Sequence, residues 1–288
     1  MGKLDGKVAI VTGSSRGIGK SVALLFAAEG AKVVCASRTL NEGDLVARDP
    51  SLERGLSGSL NTTVAEIKQA GGTAIAVKTD VSNEDSCTRL LEATHQAFGP
   101  VDVLVNNAVM GYMIAVRDFS RKQWEECFEV NVQGPYMLTM QVLPDMIKRR
   151  NGAIVNLTSV AAVGPGRGPY TPLGKDYRFR TTYGATKAAL ERFTQGLAEE
   201  IYQYGISVAA VGPSTYVPTP TTYYLFHDES GGEPGKTMAQ AVMLLAIEPL
   251  DKVTGRVTYS QAILKEFGWI DNGEGYGINK TGSGYSQQ

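Results

Sequence analysis

Tyr183 and Lys187 stand four apart in the run Tyr183-Gly-Ala-Thr-Lys187, and the Ala188-Ala189-Leu190 that follows favours a helix. At that spacing the two side chains lie on one face and can reach a common point. An ammonium group beside a phenol favours the phenolate. The pair therefore suits a tyrosine that trades a proton near neutral pH, below its usual value of about 10. Alone, such a pair is ordinarily a solvated helix face. Ser159 adds to it, because it follows the apolar run Ala153-Ile-Val-Asn-Leu157 and so stands at a strand's carboxyl end, where open α/β sheets bind ligands. The chemistry open to these residues is carbonyl–alcohol interconversion. The tyrosine protonates the carbonyl oxygen as hydride arrives, or deprotonates the alcohol in reverse, and the serine donates to that oxygen.

A hydride carrier has a place near the N-terminus. Val8-Ala-Ile-Val11 is a short apolar run typical of a strand buried on both faces. Thr12-Gly-Ser-Ser-Arg-Gly-Ile-Gly19 follows, then a helix from Lys20 to Glu29 that ends at Gly30. Strand, glycine turn, helix is the setting in which Gly13, Gly17 and Gly19, with Ser15 and Ile18 among them, bring backbone close to a pyrophosphate at a helix N-terminus. The first two glycines are further apart than in the standard fingerprint. Lys32-Val-Val-Cys-Ala36 reads as the second strand, ended by Ser37-Arg38-Thr39. Roughly twenty residues past the glycines an NAD-binding chain carries an acid for the ribose hydroxyls. Here Ser37 and Arg38 stand there, and Arg16 lies in the glycine turn. Two guanidinium groups converging on the adenosine ribose would hold a 2′-phosphate, which selects NADP (NADPH) as cofactor.

The remaining elements must hold these residues in register. A polar excursion over 41–63 precedes a helix over 64–70, and a third strand over 74–77 leads to Asp80-Val81. The Asp80 carboxylate could accept from the adenine amine. Equally, Asp80 or Ser82 could cap the helix over 85–98. Further strands read at 101–105, 153–157, 207–211 and 256–259, with helices at 123–140, 183–204 and 238–247. Pro135 should bend or break the first of those helices. Unbroken alternation without repeats predicts an α/β fold, a single doubly wound Rossmann-type domain over 1–270 with a parallel sheet of about seven strands. A loosely held Gly-rich tail over 271–288 follows. A lid over about 212–236 carries Tyr216, Tyr223, Tyr224 and Phe226. Met110, Tyr112 and Tyr216 are the candidate substrate residues, suited to an apolar alcohol or carbonyl compound.

Composition narrows the class. Basic residues number 28 against 29 acidic, a net charge of −1, which gives no electrostatic reason to expect nucleic acid or anionic membrane as partner. Cys35, Cys87 and Cys127 match neither a disulfide framework nor a zinc site and fit a reducing compartment. With His95 and His227 the only histidines, imidazole-based metal chemistry has little to build on. A polar N-terminus and the lack of a bilayer-long apolar run point to a cytoplasmic protein.

Taken together, these residues resemble the short-chain dehydrogenase/reductase family over most of the chain, from Leu4 to Ser260. The resemblance implies a catalytic set of Asn131, Ser159, Tyr183 and Lys187. In it Lys187 hydrogen-bonds the nicotinamide ribose and Asn131 anchors a water relaying protons to Lys187. It implies cofactor contacts from Asn107, Ala108 and Val109, the last standing where the family has glycine, and from Pro213, Thr215 and Val217 to the carboxamide. The helices bearing Asn131 and Tyr183 would pair subunits into a homodimer or homotetramer. Three departures stand out: Val109, the long segment 164–182, and Pro213-Ser-Thr-Tyr-Val217 in place of Pro-Gly followed by Val or Ile. The excursion after Arg38, Pro213-Ser-Thr215 and Ile263-Leu-Lys-Glu-Phe-Gly268 look like the hydroxysteroid dehydrogenase-like branch.

Two other classes compete. Gly13-Ser14-Ser15-Arg16-Gly17 also fits the Gly-x-Ser-x-Gly nucleophile elbow of a hydrolase, which needs a late histidine, and His227 is the one available. A dinucleotide-binding regulatory protein with little turnover would suit Val109 and the rebuilt strip. The intact set of four polar residues speaks against it.

Overall fold

The computed structural model describes residues 2–44, 57–166, 180–220, 222 and 231–280. Seven strands, β1 (Val8–Thr12), β2 (Lys32–Ser37), β3 (Thr73–Lys78), β4 (Val103–Asn106), β5 (Gly152–Leu157), β6 (Ile206–Gly212) and β7 (Val257–Tyr259), form one sheet. Their order is β3-β2-β1-β4-β5-β6-β7, and every pair is parallel. The order in which strands are added reverses between β1 and β4, so the crevice beyond their carboxyl ends is the switch point where such sheets bind ligands.

Alternate strand residues serve two cores, which is why the strand sequences are apolar throughout rather than alternating. Val11, Cys35 and Val155 pack with Val22 and Phe26 of α1 (Gly17–Ala28) and with Met238 and Val242 of α7 (Gly235–Ile247). Ile10, Val34, Leu104 and Ile154 pack with Leu90 of α3 (Glu84–Phe98), Leu138 of α5 (Gly134–Arg149) and Ile201 of α6 (Thr181–Ile201). The shorter helices are α2 (Leu60–Gln69), α4 (Arg121–Phe128), α8 (Leu250–Val253) and α9 (Ser260–Glu266).

Several boundaries differ from the sequence reading, each for a local reason. α1 begins at Gly17, so Gly17 and Gly19 belong to its first turn. α2 begins at Leu60, where the sequence suggests loop as far as Thr63. Asn61, Thr62 and Thr63 are poor helix formers, but Ser59 caps them by accepting from the Thr62 amide at 3.1 Å, and Thr63 Oγ1 donates to the Ser14 carbonyl at 2.9 Å. α3 is capped by Asn83, which accepts from Ser86 N at 2.8 Å, rather than by Asp80 or Ser82. The helix expected over 123–140 is α4, a π-helical turn over Glu129–Gln133, and α5. Pro135 sits in the first turn of α5, where its missing amide costs little, and the irregularity falls just ahead of it. Residues 271–280 are not loose: the Tyr276 amide donates to the Ser214 carbonyl at 2.8 Å.

Candidate active site

The glycine turn is built by close approach. Gly13 and Gly17 have φ of +67° and +57°, a region that costs other residues steric strain. A Cβ on Gly13 would lie 2.7 Å from Asn107 Nδ2, and one on Gly19 would lie 2.4 Å from the same atom. Asn107 fills that gap and donates to the Thr12 carbonyl at 2.8 Å, while Thr12 Oγ1 accepts from the Asn107 and Ala108 amides at 2.9 and 3.0 Å. The ends of β1 and β4 are thus locked together. Ser15 is buried and Ile18 partly so, packed against the core.

Arg16 folds across the mouth of this turn. Its Nε donates to the Ser57 carbonyl and its Nη2 to the Gly58 carbonyl, both at 2.7 Å, with Thr39 Oγ1 at 3.5 Å. Burial pushes its guanidinium value down, against the opposing charge of Glu42. Ser37 Oγ accepts from the Thr39 amide at 3.2 Å. Arg38 is partly exposed and makes no hydrogen bond or ion pair with a described residue. Asp80 accepts from the amide and hydroxyl of Ser82 at 3.1 and 2.6 Å, and Val81 is buried beside Gly134.

Tyr183, Ser159, Lys187 and Asn131 converge where β5 ends and α6 begins. The Ser159 side chain lies close enough to the Tyr183 phenol to pull its value down. Their meeting depends on two glycines. A Cβ on Gly184 would stand 2.4 Å from the Ala161 carbonyl oxygen, so only glycine lets α6 approach the turn after Ser159, and a Cβ on Gly212 would lie 3.3 Å from the Ser159 backbone. Gly111 lies against the Tyr183 ring, its hypothetical Cβ 3.5 Å from Cδ2. Lys187 is buried, its Nζ donating to the Leu157 carbonyl at 2.7 Å and standing 5.7 Å from the centroid of the Tyr183 ring. Burial lowers its value from 10.5 to about 8, and the buried carboxylate of Glu191, one turn further along α6, opposes that. Glu191 is held in turn by Thr158 Oγ1 at 2.7 Å.

Burial also pushes the Tyr183 phenol up. The groups that pull it back are the Ser159 hydroxyl and the Arg180 guanidinium. Lys187, expected from the sequence to be the depressing charge, is turned instead to the Leu157 carbonyl. Asn131 bonds to distant segments rather than locally. Its Oδ1 accepts from the Met110 amide at 2.8 Å, and its Nδ2 donates to the Met110 carbonyl at 2.7 Å and to Thr186 Oγ1 at 3.0 Å. The side chain is therefore fully used in fixing the segment after β4 to α6.

The other sequence candidates fall around this centre. Val109 is 45% exposed, and its φ is not positive, so the backbone there has no need of the family's glycine. The Tyr112 hydroxyl donates to Glu126 on α4, with Phe119 edge-on at 6.0 Å. The Tyr216 carbonyl accepts from the Glu233 amide at 2.7 Å. Pro213 is partly buried and Val217 buried. Thr215 Oγ1 is buried with no partner, an orphan hydroxyl that a ligand amide at this strip would satisfy. Tyr223, Tyr224, Phe226, His227 and residues 167–179 lie outside the described residues. Among the described residues no group of His, Cys, Asp or Glu could hold a metal ion, and no helix is long and apolar enough to cross a membrane.

The profile of the short chain dehydrogenase family matches residues 7–230. The chain belongs to the short-chain dehydrogenase/reductase family. The chain is 32% identical over 267 residues to the 3-oxoacyl-acyl-carrier-protein reductase FabG of Thermotoga maritima, covering 88% of this chain and 96% of that one. It is 36% identical over 216 residues to a short chain dehydrogenase of Pseudocercospora fijiensis, covering 74% of this chain but only 61% of that relative. A solved metagenomic short-chain oxidoreductase in complex with NADP superposes with a TM-score of 0.67 at 28% identity, over 89% of this chain and 97% of that one. A short chain dehydrogenase/reductase family protein gives 0.71 at 33% identity, over 89% and 96%. Membership in this oxidoreductase family removes the hydrolase reading of Ser15. Among the described residues the one histidine, His95, faces Asp145 at 3.3 Å.

Proposed function

We propose that this dehydrogenase is NADP-dependent and interconverts an alcohol with its ketone or aldehyde, with Tyr183 as general acid and base. The observation that carries the reading is Lys187 buried 5.7 Å from the Tyr183 ring centroid, on a helix that Gly184 lets approach the turn after Ser159. A bound nicotinamide would supply or accept the hydride. Tyr183 would hand its proton to the carbonyl oxygen, and Ser159 would donate to that oxygen as charge develops. Lys187, protonated below about 8, would return the proton and bind the nicotinamide ribose. The Asn131 side chain is spent on Met110 and Thr186, so any water it anchors would be held by its main chain. Gly13, Gly17 and Gly19 would admit the pyrophosphate, Arg38 with Arg16, Ser37 and Thr39 the 2′-phosphate. Met110, Tyr112 and Tyr216 would face an apolar substrate.

The metagenomic oxidoreductase bound to NADP supports the cofactor choice, as does the lack of any acid at Ser37-Arg38. A homo-oligomer paired through the helices bearing Asn131 and Tyr183 is supported on the Asn131 side by exposed Trp124 of α4 and Tyr136 and Met140 of α5. Thermal shift with NADPH and NADH, repeated on Arg38→Ala, tests the reading. NADPH is expected to stabilise the protein more than NADH, and Arg38→Ala to remove the difference. No shift with either nucleotide would overturn it and mark a site that has lost its ligand.

A further inference from the structure

Glu233 is a buried carboxylate that the reaction does not use. It is 3% exposed and forms no ion pair with a described residue. Two hydrogen-bond relays end on it. In one, the Ser214 amide donates to Ser260 Oγ at 2.9 Å, and the Ser260 hydroxyl donates to Glu233 Oε1. In the other, the Glu274 amide donates to Gln261 Oε1 at 3.0 Å, and Gln261 Nε2 donates to Glu233 Oε2 at 2.8 Å. A cross-link joins them, since the Gln261 amide donates to Ser214 Oγ at 3.0 Å. With Tyr276 on its carbonyl at 2.8 Å, Ser214 has its amide, hydroxyl and carbonyl all committed.

Ser214 lies two residues past Gly212, whose hypothetical Cβ is 3.3 Å from the Ser159 backbone. The strip that Glu233 fixes is therefore beside the reacting end of the site. The same strip carries the orphan Thr215 hydroxyl, and Tyr216 bonds to the Glu233 amide. We propose that Glu233 is a positioning residue for the nicotinamide half of the cofactor, its carboxylate the common acceptor that locks Pro213–Val217 in place. This rests on the cofactor reading above.

The polarity of the network gives the proposal its test. A carboxylate only accepts, whereas an amide must also present N–H groups. With glutamine at this position one N–H meets either the Gln261 amide nitrogen or the Ser260 hydroxyl. Gln261 cannot flip without losing the Glu274 amide, and Ser260 cannot turn its proton away without a new acceptor. Either way one of the two donations to residue 233 is lost. Burial also pushes the Glu233 carboxyl up, against the pull of its donors. A neutral amide relieves that desolvation, so the variant keeps its fold while losing its alignment.

The experiment measures binding of NADPH and of 2′,5′-ADP, which lacks the nicotinamide half, to wild type, Glu233→Gln and Ser260→Ala by calorimetry, with melting temperatures alongside. Glu233→Gln is expected to bind NADPH at least about tenfold more weakly. Its affinity for 2′,5′-ADP should stay within about twofold of wild type and its melting temperature should not fall. Ser260→Ala should behave likewise, and it decides the matter if Glu233→Gln does not fold. Unchanged NADPH affinity, or equal weakening of both ligands, would overturn the proposal. Wild type binding neither ligand would overturn the cofactor reading itself, and this proposal with it.

Discussion

Gly184→Ala adds one methyl group at the point where α6 meets the turn after Ser159. The new Cβ would lie 2.4 Å from the Ala161 carbonyl oxygen, where ordinary contact begins at 3.4 Å. Backbone forms both sides of the contact, so no side chain can swing away. Tyr183, the adjacent residue, and Ser159, two residues before Ala161, must part by about 1 Å, a displacement of the size that costs about a hundredfold in rate. Stability should change much less. Overpacking costs about 1–3 kcal/mol, and replacing a helical glycine by alanine returns about 1 kcal/mol, which leaves a melting temperature lower by no more than about 8 °C. Gly196→Ala on the same helix is the control, because its Cβ would meet only the far end of the Arg192 side chain. The assay is NADPH-coupled carbonyl reduction beside thermal melting of both variants. Gly184→Ala should lose about two orders of magnitude in kcat/KM while Gly196→Ala stays near wild type. Wild-type turnover in Gly184→Ala would refute the claim that this close approach sets the alignment of Tyr183 with Ser159.

Other outcomes follow from the buried charges and the exposed valine. Lys187 is protonated only below about 8, so reduction should decline as pH rises through that value. Glu191→Gln should move this limb to lower pH, because Glu191 is the charge that raises Lys187; an unmoved limb in the pH–rate profile would exclude that coupling. Because the folded-state value is depressed from 10.5, the stability contribution of Lys187 is complete above 10.5 and lost as pH falls through about 8. Wild type should therefore gain stability relative to Lys187→Met across that window in urea melts. Val109→Gly should change NADPH affinity by less than about threefold and stability by about 1 kcal/mol or less, measured by titration and melting. A large gain in affinity would show that Val109 blocks the cofactor wall.

The strands and the glycine turn were legible because their signals are local. Short apolar runs such as Val8-Ala-Ile-Val11 encode burial on both faces directly, and Tyr183 and Lys187 announce themselves by spacing. What escaped depends on partners distant in the chain. Asn131 enters the catalytic set by resemblance, but its side-chain partners, Met110 and Thr186, lie far along the chain. Glu191 and Glu233 carry no signal in the sequence and are buried. The start of α2 reads as loop because the Ser59 cap and the Thr63 bond to Ser14 outweigh weak propensity. Gly184 offered one clue: a glycine inside a helix costs stability, which signals a close contact. Its partner, the Ala161 carbonyl, could not be read from sequence.

The proposed role of Tyr183 is to move the proton in an NADPH-dependent carbonyl reduction. Its most direct test is single-turnover reduction of a ketone by enzyme-bound NADPH, wild type against Tyr183→Phe, with NADPH affinity measured separately. Phenylalanine keeps the ring against Gly111 and removes only the hydroxyl. The rate should fall by at least about a hundredfold, the scale of a lost general acid, while NADPH affinity stays unchanged. Full turnover in Tyr183→Phe would contradict the claim.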